Sequence, residues 1–588
     1  MNLSRNHGVP RRIEGHRLRV DHTIKVIHRR SALVRHARVP RHTFVATARF
    51  EPVTTSPTVR LESDAGGYAL GGTSLAGLSD WRARRDGNTG AKLIGKALLK
   101  RKPVLAIATA VGLLAALLPA VVLADDQTAT QAAGVAADTV WVIVAACLVM
   151  FMQAGFAMLE VGFSRMKNVG TVVAKVVTNL SVSSIAYWAV GFGFAFGAGG
   201  FFAFIGGSAF FPTFSPGSQM HLPAIDASTV PASAKWFFEF VFCAVSLAIV
   251  WGTMIERTKF IVYILFGVPF AAFIYPLISH QLFGGGFLMA TLGSQDFAGS
   301  TVVHLTGATA GLAGLLLLGP RIGKYEKGRP NAIPGHNMPL AQLGVLILWF
   351  GWFGFNPGST LNATNLHFAD IVVVTNLAAA AGAVAALATI YFVTKTMDVG
   401  MIGNGAIAAL VAITAPSGYV EPWAAVVIGA VAGVIVVGGV LALDKYLDDP
   451  VGALPAHGLA GIWGTLSCGL FTVPALAKFN GVGQGGLFYT GSFHQLGAQA
   501  IAVGASFVTV FVLSYSLFWI IKKTVGLRVS AREEMDGLDI SEHGMWGYPE
   551  SFMPVPGGVY RPADMPTVNP HRSAEPVGSP ARAGGSPA

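Results

Sequence analysis

Between residues 138 and 521 the chain carries eleven apolar segments, each long enough to cross a bilayer. A lipid interior offers no water to unpaired peptide groups, so such segments must fold as helices that close their own hydrogen bonds. They lie near 138–161, 172–196, 236–255, 259–281, 298–319, 338–356, 368–393, 401–418, 422–442, 453–473 and 494–521. The fold class that follows is an all-α polytopic membrane protein with eleven transmembrane helices. Only 12% of residues are charged and the mean hydropathy is +0.56, whereas a soluble globular chain is roughly a quarter charged.

The loops between these segments alternate in charge. Arg165 and Lys167, Arg257 and Lys259, Arg321 to Arg329, Lys395, Lys445, and Lys522 with Lys523 fall on one side; the other holds little beyond Lys235 and Lys478. The positive-inside rule then puts the N-terminus outside and the C-terminus in the cytoplasm, in a cell membrane. The overall net charge of +11 is no sign of nucleic-acid binding. Residues 1–102 hold 21 Lys/Arg and 7 Asp/Glu, a net of +14, and the remaining 20 basic and 23 acidic residues give a net of −3. The three cysteines, Cys147, Cys243 and Cys468, sit in apolar runs and read as small buried hydrophobes, with no disulfide framework and no metal site.

Two of the segments share a polar pattern. DFAGSTVVH at 296–304 and DPVGALPAH at 449–457 both place Gly three residues after Asp and His eight residues after it. An ionisable side chain inside a spanning segment is costly and marks function by default. Two in matched positions suggest a structural repeat with the site at its interface. Segments one to five and six to ten would form that five-plus-five repeat, inverted because five spans reverse orientation. Asp296 and Asp449 also suit a second role, as helix-start residues that cap backbone amides.

The flanking regions read differently. Residues 1–90 are disordered or a mis-assigned N-terminal extension, and 91–124 have a signal-peptide layout. That layout consists of the charged Lys96 to Lys102, an apolar run from Val104, and small residues before Asp125; an uncleaved first helix is its alternative. The membrane domain spans 125–525, and 526–588 form a cytosolic tail, regulatory over 526–548 and disordered over 562–588. There is no Walker phosphate loop and no Arg-rich voltage-sensing helix.

Aromatic residues supply the remaining candidates. Phe238 and Phe242 sit four apart on one face of the third segment, which suits packing as well as function. Tyr275, His280 and Phe283 precede a GGG turn, and Phe355, Asn356 and Ser359 end the sixth segment. Such aromatics fit an interfacial belt as readily as a site.

Together with GFSRMKN at 162–168, GWFGFNPGS at 351–359 and GLDISEHG at 537–544, the two Asp–His stretches resemble the ammonium transporter (Amt/Mep/Rh) family, Amt-type members in particular. The resemblance covers roughly 138–548. It implies one pore per subunit, a homotrimer, no cofactor and no enzyme activity, with ammonium or ammonia as the substrate. It also implies that His304 and His457 line the pore and that Phe242 and Phe355 form a stacked gate. Phe238, Ser359, Phe283, Tyr275 and Asp296 would recruit the substrate outside that gate, and a PII-type signalling protein would act on the cytosolic face. The family's ammonium-transporting members usually have Trp where this chain has Phe283, and a phenylalanine face is the weaker cation–π partner.

The residue types suit such a task. Burying an ammonium-sized ion costs on the order of 20 kcal/mol by the idealised Born estimate. Removing its proton near neutrality, for a pKa close to that of a lysine ammonium, costs about 3–4 kcal/mol. Deprotonation is cheaper, and neutral imidazoles can donate or accept a hydrogen bond along the way. Other readings remain at this point: an Rh-like gas channel, an ammonium sensor signalling through the tail, or a bis-histidine haem protein.

Overall fold

In the computed structural model, residues 126–552 are described, apart from 200, 202–203 and 216–219. All belong to the compact unit Leu117–Ala588. The expected N-terminal extension, signal peptide and last part of the tail lie outside the described residues.

The described chain is helical almost throughout. Nine of its helices are long and apolar enough to cross a membrane. They are α1 (Asp126–Phe163), α2 (Met166–Phe196), α3 (Ala232–Gly252), α4 (Phe260–Ala290), α5 (Ser300–Leu318), α6 (Met338–Gly358), α7 (His367–Thr394), α9 (Pro422–Leu443) and α12 (His494–Thr524). Between them, α8 (Val399–Thr414) is apolar but has 16 residues. The tenth predicted segment is α10 (Leu454–Phe471), bent by 110° against the short α11 (Pro474–Asn480). Length and composition therefore support nine spans, or ten with the bent pair, where the hydropathy reading gave eleven. The differences have local causes. Pro416 has no N–H to continue the helical ladder, and the Ala415 N–H is taken by Ser300 Oγ at 2.7 Å, so the eighth segment stops at Thr414. Pro474 starts a new helix in a new direction. A two-residue hairpin, β1 (Tyr325–Glu326) with β2 (Arg329–Pro330), interrupts the loop after α5.

Burial sorts the helices. In the most apolar windows of α3 and α5, 83% of residues are buried, against 39% for α7 and α9 and 33% for α12. The first two form the centre and the last three the rim, where Val384, Phe392, Val508 and Trp519 are exposed. An apolar rim of this kind is what a lipid surround requires. Cys243 and Cys468 are buried, but Cys147 is exposed. It belongs to this outward face, which corrects the expectation that all three are buried.

Small residues set the helix spacing. α1 packs along α6, and a Cβ at Gly344 of α6 would meet the Leu159 backbone nitrogen of α1 at 2.3 Å. Without a hydrophobic force between helices in lipid, such close backbone contact is a main source of packing energy.

At one end of the bundle the loops are joined by buried charges. Arg321 holds Asp448 through Nη2–Oδ1 at 2.8 Å and Glu256 through Nη1–Oε2 at 2.9 Å, and Arg165 reaches the same Glu256 oxygen at 2.9 Å. Arg257 donates to the Asp448 carbonyl at 2.8 Å. Burial would raise the Asp448 carboxyl, but its hydrogen bonds from Arg321 and the charge of Arg257 hold it down at about 2. The helices α13 (Ala531–Asp536) and α14 (Leu538–His543) of the tail lie against this end. Glu534 accepts from the Ile322 N–H at 2.7 Å and from Arg528 Nη2 at 2.7 Å.

Candidate functional site

The Asp–Gly–His pattern builds the same local structure twice. Asp296 accepts the N–H groups of Gly299, Thr301 and Val302, each at 3.0 Å. Asp449 accepts the Leu454 N–H at 2.7 Å. Gly299 has φ 110° and Gly452 has φ 73°, a region in which a side chain is strained. Each carboxylate thus caps a helix start just after a left-handed turn. In both, the turn that follows is a π-helix, Ser300–Leu305 and Leu454–Leu459, and each holds its histidine. An inserted π-turn shifts the side chains of a helix in register and is frequent at functional sites.

The result brings His304 and His457 face to face. Their Nδ1 atoms are 3.2 Å apart and the rings stack at 5.3 Å between centroids. A hydrogen bond at that distance needs one Nδ1 to carry the proton and the other to accept it. For a neutral pair, the outer edges are then unlike: the donor ring presents a bare Nε2 and the acceptor ring an Nε2–H. His304 Nε2 is buried without a partner.

A wall of aromatic rings continues outward from this pair. His304 stacks on Trp352 at 5.3 Å and on Phe355 at 5.5 Å. Phe355 stacks on Phe242 at 4.0 Å, and Phe242 meets Phe238 at 4.7 Å. Beyond Phe242 opens a cavity of about 320 Å³, lined by Phe238, Phe242, Phe283, Asp296 and Ser359 among others. On the other side, His457 lines a much smaller space of about 20 Å³ with Glu160, Asn404 and Leu348. That is room for about one water molecule.

Five of the predicted residues therefore share one cavity, and three more, Phe355, His304 and His457, lead from it to a second. Tyr275 is placed otherwise. It is fully buried, its ring 6.3 Å from those of Tyr187 and Phe270, and is not among the cavity-lining residues. Ser359 lines the cavity while its hydroxyl donates to the Phe355 carbonyl at 2.9 Å, which leaves its oxygen free to accept. Burial pushes the Asp296 carboxyl up to about 6, against the pull of its backbone donors.

The sequence reading missed three features. Glu239 lines the outer cavity; the signal was a carboxylate within FFEFVF in the third segment. Trp352 backs His304 and lies inside GWFGFNPGS, three residues before Phe355, and the aromatic run there was its signal. Lys175 and Glu160 form an ion pair with both side chains almost fully buried, which only the charge count of two apolar segments could have flagged. No cluster of His, Cys, Asp or Glu with metal-holding geometry occurs among the described residues.

Fold and site together define a multi-pass membrane protein in which buried imidazoles link the larger cavity to the small space beside Glu160. The chain belongs to the ammonium transporter family, whose model, described as Ammonium Transporter Family, matches residues 140–548. It is 46% identical over 425 residues to ammonium transporter Amt2 of Archaeoglobus fulgidus, covering 70% of this chain and 88% of that protein. It is 34% identical over 417 residues to the ammonium transporter of Bacillus subtilis, covering 71% of this chain and 99% of that one. Among solved structures, one titled Sensor Amt Protein matches with a TM-score of 0.64 at 37% identity, covering 70% of this chain and all of that one. Candida albicans Mep2 matches with a TM-score of 0.62 at 28% identity, covering 70% of this chain and 90% of that one.

Proposed function

We propose that this chain is an ammonium transporter in which the outer cavity recruits the cation, Phe242 and Phe355 gate it, and ammonia passes along His304 and His457. The observation that carries the reading is the 3.2 Å contact between the two Nδ1 atoms behind the stacked phenylalanines. A permanent cation has no place there, because the path is lined by rings and by imidazoles whose capacity is one hydrogen bond each way. Ammonia is small, neutral, and both donor and acceptor, so it can exchange one imidazole edge for the next. The cation sheds its proton to water in the outer cavity before the gate, whether that proton stays outside or is relayed separately, since deprotonation costs far less than burying the charge.

The same reading takes α8 and the bent α10 as spans, giving eleven in all and an inverted five-plus-five repeat. The matched caps and π-turns at Ser300–Leu305 and Leu454–Leu459 support it. With the basic loops inside, the outer cavity faces the cell exterior and the tail faces the cytoplasm. The homotrimer, the PII-type partner and the cell-membrane location are carried into this proposal from the family. A second reading, ammonium sensing through the tail, is favoured by the hydrogen bonds that tie the tail to the loops, Glu534 to Ile322 among them.

The test is isotopic uptake and ammonium-evoked current on full-length protein in liposomes across pH. Wild type should take up ammonium, and His304→Ala should lose at least tenfold of that flux, equivalent to about 1.4 kcal/mol, or admit potassium. Unchanged uptake with unchanged discrimination against potassium would remove the histidines from the path. A tail response without uptake would favour the sensor.

A further inference from the structure

Glu239 sits on α3 between the two phenylalanines of the outer cavity and lines that cavity with Asp296 and Phe283. It is 6% exposed, and its Oε2 is buried without a hydrogen-bond partner. No lysine, arginine or histidine among the described residues forms an ion pair with it. Lys235, one turn earlier on the same helix, is turned away onto the carbonyls of Ile225 at 2.7 Å and Ser228 at 2.8 Å. Asp296, the other carboxylate of the cavity, is committed to three backbone N–H groups. Of the two acids, Glu239 alone has a buried oxygen with no partner.

A buried carboxylate without donors is costly, and the cost falls when a cation bearing N–H groups arrives. The cavity beside Glu239 is bounded by the rings of Phe238, Phe242 and Phe283, whose faces attract cations more weakly than tryptophan does. Ser359 offers an acceptor oxygen on the same wall. We propose that Glu239 is a cation-binding carboxylate of the outer cavity, recruiting small ammonium-type cations where the ring at 283 alone would hold them poorly. This deepens the transporter reading and rests on it for the choice of cation. Charge and N–H donors are supplied together by an ammonium-type ion, whereas sodium and potassium supply charge alone.

The experiment uses full-length protein with ammonium chloride as the probe and choline chloride to hold ionic strength. Initial uptake rates in liposomes and thermal stabilisation in detergent are measured for wild type, Glu239→Gln and Glu239→Asp. In wild type, ammonium should stabilise the fold more than an equal concentration of sodium. Glu239→Gln should raise the half-saturating ammonium concentration at least tenfold and abolish the extra stabilisation, and Glu239→Asp should stay within threefold of wild type. In the double variant with Phe283→Trp, part of the affinity lost in Glu239→Gln should return. A Glu239→Gln protein within twofold of wild type in both readouts overturns the proposal. If that variant does not fold, the wild type decides, because equal stabilisation by ammonium and sodium overturns it too. Ammonium-specific stabilisation that Glu239→Gln removes, in a wild type without flux, sinks the conduit and supports this site.

Discussion

At the scale of single residues, Asp296 shows how one carboxylate can be both cap and wall. It accepts three backbone N–H groups and lines the outer cavity. Asp296→Ala should therefore destabilise the protein, by about 1–3 kcal/mol for each buried donor left unpaired, read as a lower melting temperature in detergent. The pH dependence has a definite sign. Burial raises this carboxyl to about 6 in the folded protein, from about 3.9 in an unfolded chain. Its contribution to stability is thus fully present below about pH 4 and lost as pH rises through about 6. Relative to Asp296→Asn, which cannot titrate, wild type should lose about 3 kcal/mol across that window; a difference that stays flat with pH would disprove the assignment. The histidines and this aspartate were legible because they recur at equal spacing in two segments. Glu239 was not, because a single carboxylate has no repeat and its significance lies in the donors it lacks, which only three dimensions reveal.

At the scale of elements, the tail is fastened by a cap supplied from far along the chain. Asp539 accepts the N–H groups of Gly170 at 2.9 Å and Thr171 at 2.8 Å, as well as the Thr171 hydroxyl at 3.1 Å. It thereby places a negative charge at the N-terminal turn of α2, where the helix dipole favours it. Leu538 donates to Asn168 Oδ1 at 3.0 Å beside it. Asp539→Ala should free α14 from α2, raising hydrogen exchange at Gly170, Thr171 and Leu538 at least tenfold, about 1.4 kcal/mol of local opening. Exchange confined to wild-type rates would mean that other contacts carry the tail. GLDISEHG could be recognised in the sequence, but its partner could not. Hydrophobic periodicity reports one helix at a time and is silent on a hydrogen bond between residues about 370 positions apart. The same limit applies to span ends. Hydropathy carried the eighth segment past Thr414, where Pro416 stops the helix without changing the apolar average.

At the scale of the whole molecule, the loops at the tail's end of the bundle are one connected charge network through Arg165, Glu256, Arg321 and Asp448. Asp448→Asn leaves Arg321 and Arg257 facing a neutral amide in a buried site. Breaking such a pair from one side should cost about 3–5 kcal/mol, measurable as a loss of melting temperature and of yield in detergent. A variant as stable as wild type would show that water already reaches the network. The alternation of loop charge foretold that these residues share one side, though not that they bind each other. The ring stack at the outer cavity has a consequence of its own. Phenylalanine faces 4.0 Å apart leave no gap for any solute, so on the proposed reading every molecule must wait for a side chain to swing aside. Throughput is then metered like a turnstile, one rotation per passenger. It should climb with temperature as a packed side chain loosens, and level off however much substrate queues outside.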